Sequence, residues 1–207
     1  MISKILLVAI PLTATSCMNS ALRMIENILI PSRLILYGTS SANAISLYGM
    51  IKGMVLPLLF FPSSLLTSLA SILIPSVAGD NALNNETRVT YTLSKVLHFT
   101  ALSGIIVVSI FICFPNEIGM AVYNDSTVGT MLKIISFVCP FMYLNMVVAS
   151  MLHALGEEVV SFKINVVESI LKISIIYFLV PAYGFNAYIF ALFLTTVLNT
   201  LLYLLRL

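Results

Sequence analysis

Six long apolar runs divide this chain, at about residues 5–30, 44–76, 89–114, 127–154, 157–180 and 184–205. Each matches or exceeds the ~20 apolar residues that cross a hydrocarbon core about 30 Å thick. They are too long for strands and do not alternate with period two, so they read as helices. The breaks between them hold turn formers: Pro31, Gly79-Asp80-Asn81, Pro115-Asn116 and Pro181-Ala182-Tyr183-Gly184. Pro57 and Pro62 inside the second run predict a kink or an interfacial turn there, and the fourth run contains Pro140.

Composition agrees. Of 207 residues 60% are hydrophobic and 9% charged, against about 25% charged in an ordinary soluble domain. Mean hydropathy is +1.08. A disordered chain and a secreted disulfide scaffold are excluded, and a net charge of +2 gives no footing for a nucleic-acid partner. The expected fold class is all-α, a polytopic membrane protein of six transmembrane helices, with the lipid bilayer as solvent. Cys17, Cys113 and Cys139 are far apart inside apolar runs, the pattern of buried inert thiols rather than of a disulfide or metal site. Lys4 before an apolar run imitates a signal peptide, but the run continues to Ile30, beyond a signal core. With Trp absent, Tyr37, Tyr91, Tyr123, Tyr183 and Tyr203 near the run ends are the candidates for an interfacial belt. If the N-terminus lies inside, the inner face carries Lys4, Arg88, Lys95, Lys163 and Arg206, and the outer face Arg33 and Lys133. That bias predicts both termini in the cytoplasm.

Charges within spans cost about 2.5–3.5 kcal/mol each on the insertion scale and so call for a reason. Projected as a helix, the first run places Thr13, Ser16, Asn19, Ser20, Arg23, Glu26 and Asn27 on one face. The fifth run does the same with Glu158, Ser161, Asn165, Glu168, Ser169 and Lys172. In the second run Lys52 follows Tyr48 by one turn. At about 1.5 Å per residue, Arg23, Lys52 and Lys172 each lie about 10–12 Å from the outer end of their helix, which predicts a shared cavity. The candidate cavity residues are Arg23, Glu26, Lys52, Glu168, Lys172, Asn19, Asn165 and Tyr48. A purely structural alternative pairs Arg23 with Glu26 and Glu168 with Lys172 along their own helices. It leaves the long Ser, Thr and Asn stripes unexplained, and Lys52 without an acid within four residues. No phosphate-binding Gly-rich loop, HExxH or paired-cysteine motif occurs, so no enzyme, cofactor or metal is expected.

Several stretches carry a resemblance. They are Ile10-Pro11-Leu12-Thr13, Ile25-Glu26-Asn27-Ile28-Leu29-Ile30-Pro31, and above all Tyr48-Gly49-Met50-Ile51-Lys52-Gly53-Met54 with Leu56-Pro57-Leu58-Leu59-Phe60-Phe61-Pro62-Ser63. Ile74-Pro75, Leu155-Gly156 and Pro181-Ala182-Tyr183-Gly184 extend it. The chain resembles the stage V sporulation protein B family, on the polysaccharide-transporter side of the multidrug and toxin extrusion superfamily, alongside the lipid II flippases. The resemblance implies a transporter of two six-helix lobes, of which this chain, residues 1–207, is the C-terminal one. It further implies a bacterial cytoplasmic membrane location, alternating access, and a polyprenyl-pyrophosphate-linked saccharide or peptidoglycan precursor as substrate, with spore cortex synthesis as the associated process. Arg23 and Lys52 match the family's cationic cavity by position, while Lys172 matches no defined motif. The chain is about half the family's length, so the expected partner is a missing N-terminal lobe or a second copy. The alternatives are a cation-coupled drug exporter of the same superfamily and a non-transporting membrane scaffold.

Overall fold

The computed structural model describes the backbone of residues 2–207 and the side chains of residues 13, 16–18 and 20–207. Among the described residues there is no strand, and seven helices follow in order: α1 (Ile2–Leu36), α2 (Ser41–Ala82), α3 (Glu86–Cys113), α4 (Pro115–Tyr123), α5 (Ser126–Ala154), α6 (Glu158–Tyr183) and α7 (Phe185–Arg206). Among the described residues five helices, α2, α3, α5, α6 and α7, are long and apolar enough to cross a membrane. The remaining expected span, residues 5–30, falls inside α1, partly on residues whose side chains lie outside the described set.

Several helix ends differ from expectation, and proline is the reason in each case. The sequence puts stops before Pro31 and Pro181, yet α1 runs on to Leu36 and α6 to Tyr183. A missing N–H removes a single ladder bond, and helices in an apolar medium tolerate that when neighbours satisfy the freed carbonyl. Pro115 does not sit in a loop but opens the short helix α4, where its fixed φ suits the first turn. The irregularity expected in the second run is a π turn at Ile51–Val55, in which the Leu56 N–H bonds the Ile51 carbonyl, just before Pro57. Near Pro62 two side chains supply donors: Tyr143 Oη to the Leu59 carbonyl and Ser63 Oγ to the Phe60 carbonyl, both at 2.7 Å.

The chain divides into two compact units, one of residues 1–45 and 156–206, the other of Ser46–Leu155 with the terminal Leu207. In the first, α6 packs on both α1 and α7. The buried face of α7 includes Ala187, Ala191, Thr195, Asn199 and Thr200, small or polar residues of the kind that let membrane helices approach closely, with Tyr188, Leu192 and Tyr203 among them. The α6–α7 turn is closed by Gly184 at φ 62°, where a Cβ would come 2.6 Å from the Tyr37 ring. Only glycine combines that backbone with that fit. In the second unit α5 packs on α2 and α3 around Leu59, Val96, Tyr143, Val147 and Met151. Gly104 of α3 sits against Pro140 of α5, so that a Cβ would lie 2.7 Å from the Pro140 Cα.

Turn chemistry sets the remaining helix starts. Asn85 caps α3 by accepting the Arg88 N–H at 3.3 Å, and Asp125 caps α5 by accepting the Thr127 N–H at 2.7 Å. Two further expectations change. Cys139 is buried, but Cys17 and Cys113 are exposed, because they lie on helix faces that no neighbour covers. Tyr203 is only 2% exposed and belongs to the interior of its unit rather than to a belt.

Candidate functional site

The polar face of α6 points into the first unit: Ser161 and Ser169 are buried, and Glu168 and Lys172 are half-buried. From α1, Glu26 Oε1 meets Lys172 Nζ at 2.7 Å, with the two side chains 13% and 21% exposed. From α7, Asn199 Nδ2 donates to Glu168 Oε2 at 3.4 Å, a long bond. Glu168 also lies in the electrostatic field of both Lys172 and Glu26, and the Tyr203 hydroxyl turns to Asn165 with Ser161 alongside. One carboxylate thus pairs with the ammonium and a second lies in its field, in a wall finished by two amides and a phenol. Removing one partner of a fully buried ion pair costs about 3–5 kcal/mol, an upper bound for this half-buried one. Toward the end of α1, the Arg33 guanidinium lies 3.7 Å from the centroid of the Tyr177 ring on α6.

Of the eight candidate residues, the fold brings Glu26, Asn165, Glu168 and Lys172 into this wall. Arg23 is exposed on α1, and no ion pair joins it to Glu26 among the described residues; Glu26 pairs with Lys172, on another helix. The Asn19 side chain lies outside the described residues. Lys52 and Tyr48 belong to the second unit, where Lys52 Nζ donates to Tyr48 Oη at 2.9 Å. Lys52 stands inside the π turn, a kind of helix irregularity frequent at functional sites. The longer helices also set these cations farther from the helix ends than expected: Arg23 lies about 20 Å from the end of α1, and Lys52 and Lys172 about 17 Å from the ends of theirs.

Asn199, Tyr203 and the Arg33–Tyr177 contact were not singled out for the site by sequence reasoning. A signal exists for the first two, because Thr195, Asn199 and Tyr203 recur every four residues along one face of α7. Among the described residues, no three His, Cys, Asp or Glu side chains gather as a metal site. His98 bonds its own helix, Nδ1 to the Ser94 carbonyl at 2.7 Å, and His153 is exposed.

No family model matches the chain, and no solved structure matches it. Among curated proteins, stage V sporulation protein B of Bacillus subtilis (strain 168) is 24% identical over 203 residues, 97% of this chain and 39% of that protein. Sporulation protein YkvU of the same organism is 25% identical over 176 residues, 85% of this chain and 40% of its own length. The chain thus spans about two fifths of the curated relatives it matches. With its apolar spans and its similarity to bacterial sporulation proteins, it is an all-helical membrane protein, homologous over nearly its whole length to part of stage V sporulation protein B.

Proposed function

We propose that residues 1–207 form one six-helix lobe of a flippase that carries a lipid-linked saccharide, such as a peptidoglycan precursor, across the bacterial cytoplasmic membrane. The observation that carries this reading is the coverage: nearly all of this chain aligns with only two fifths of stage V sporulation protein B. A transporter built from repeated lobes binds its substrate between them, so one lobe supplies one wall of the cavity. In this reading both termini are cytoplasmic, no catalytic chemistry is involved, and the partner is an N-terminal lobe or a second copy. Arg23, Lys52 and Lys172 attract the pyrophosphate. Arg23 suits the task because its fork is exposed and unclaimed by Glu26, and a guanidinium binds two phosphate oxygens at once. Glu26 and Glu168 balance the charge of Lys172 or take part in ion coupling.

The wall itself favours a second reading, a cation-coupled drug exporter, because Glu26 and Glu168 outnumber Lys172 there. Co-expression separates the two. With a matching first lobe, the chain should restore growth to cells lacking a full-length flippase, and Arg23→Ala should abolish rescue at unchanged protein level. Drug resistance without flippase rescue would select the exporter. Rescue by the chain as a monomer would sink the one-lobe reading. Labelling of cysteines introduced near Gly38, Asn124 and Ala182 from outside, on a background without the native cysteines, tests the orientation; labelling near Asn84 or Glu157 instead would reverse it.

A further inference from the structure

A groove outside the polar wall has the character of a lipid site. It lies within the second unit, between α2 and α3, with a volume of about 490 Å³. Leu69, Leu73 and Phe99 line its apolar part, while Tyr91, Thr92 and Lys95 line its other end. A second hollow of about 360 Å³ shares Leu69 and Phe99 with it and continues along α3 to Val107. The two hollows thus adjoin at Leu69 and Phe99, with the cation at the far end of the first. The ammonium of Lys95 is exposed, 5.7 Å from the centroid of the Tyr91 ring, and has no acidic partner among the described residues. Arg88, two turns earlier on the same face, is 73% exposed and only loosely held by Asp80 at 3.7 Å.

We propose that this groove binds one anionic glycerophospholipid, its phosphate on Lys95 and one acyl chain along Leu73, Leu69 and Phe99. The proposal rests on α2 and α3 crossing the membrane, not on the transported substrate. Three features select the occupant. The cations at the polar end complement a phosphodiester, and basic sites between membrane helices at the headgroup level hold anionic lipids. Tyr91, one turn nearer the start of α3 than Lys95, is of a residue type enriched at the membrane interface. From Lys95 to Val107 the two hollows measure about 18 Å, close to the ~15 Å of half a hydrocarbon core. An ordinary acyl chain fills that length, whereas a polyprenyl chain is far longer.

The absence of tryptophan makes the test direct. Phe99→Trp places a single fluorophore in the groove, Leu73→Trp provides a second probe if the first fails to fold, and Ile110→Trp, on exposed α3 surface outside the groove, is the control. The full chain is reconstituted in vesicles containing brominated phosphatidylglycerol or brominated phosphatidylcholine, and quenching gives the relative association constants. The expected result is an about fivefold preference for phosphatidylglycerol at the groove probe, the factor that one basic residue near the surface supplies. The control should show about no preference, and Lys95→Gln should erase it in the groove. Equal constants at both positions, or a preference that survives Lys95→Gln, would overturn the proposal. Displacement of brominated phosphatidylglycerol by trace polyprenyl phosphate would overturn the choice of occupant.

Discussion

The two units of this protein both bury apolar residues but differ in what else joins their helices. Within the α1–α6–α7 unit, helices meet through Ser161, Ser169, Thr195 and Asn199 and through the Glu26–Lys172 pair. Within the unit of Ser46–Leu155, they meet through Leu59, Val96, Val147, Met151 and the Gly104–Pro140 approach. In lipid the apolar surface of a helix gains little by leaving its solvent, so helices associate through close packing and polar contacts. The second unit relies mainly on the former and the first adds the latter. An ion pair in that setting is costly to assemble and costly to break, and polar residues kept inside membrane helices belong by default to function.

The sharpest way to break the contrast is the ion pair. Glu26→Gln or Lys172→Met alone should destabilise the first unit by up to about 3–5 kcal/mol, and the double variant should recover part of that loss, Glu168 having lost the Lys172 charge that offsets its own. Unfolding by titration with SDS, followed by circular dichroism, measures both. Equal losses in single and double variants would mean that the pair is not coupled.

The packing side of the contrast predicts a smaller loss that no second polar substitution can repair. Gly104→Val pushes side-chain atoms into the Pro140 backbone, and overpacking of this kind costs about 1–3 kcal/mol. Wild-type stability in the same titration would show that α3 and α5 can separate there freely.

Tyr143→Phe tests a hydrogen bond between α5 and the α2 backbone. It removes the donor to the Leu59 carbonyl while keeping the ring, for an expected loss of about 0.6–2 kcal/mol. An accompanying increase in hydrogen exchange around Leu59 would assign the loss to that carbonyl, and an unchanged exchange pattern would not.

The smallest effect lies outside the spans. The Thr127 N–H bonded to Asp125 holds its carboxyl below the ordinary carboxylate value. A group whose folded value is depressed stabilises the fold above its unfolded value, near about 4, and that contribution fades as the pH falls toward the folded value. Asp125→Asn keeps a capping oxygen and cannot titrate. Its melting temperature should therefore fall less than that of the wild type on acidification below about pH 4. Parallel profiles would show that the cap is not titrating.

Much of this architecture is legible along the chain. The apolar runs mark the spans, and the three- and four-residue recurrence of Ser, Asn and Glu marks the polar faces of α1 and α6 before any packing is known. The ends are harder to read. Pro31 and Pro181 look like stops, but each removes only one ladder bond and the helix runs on past it, and Pro115 opens a helix where a loop was expected. Asn199 and Tyr203 show how the site itself was only partly visible, since one amide and one phenol in an apolar run acquire meaning only beside Glu168 and Asn165.

What the sequence determined by itself is therefore the long apolar helices and their polar faces, though not the short α4, because hydropathy and helical period are properties of a single segment. The partners across those faces were decided by the tertiary structure. Spacing alone allows Glu26 to pair with Arg23 and Lys172 with Glu168, yet Glu26 reaches Lys172 at 2.7 Å because α1 and α6 pack with those two turns level. Which turn faces which depends on the rotation and register between helices, and no local pattern in either helix encodes it.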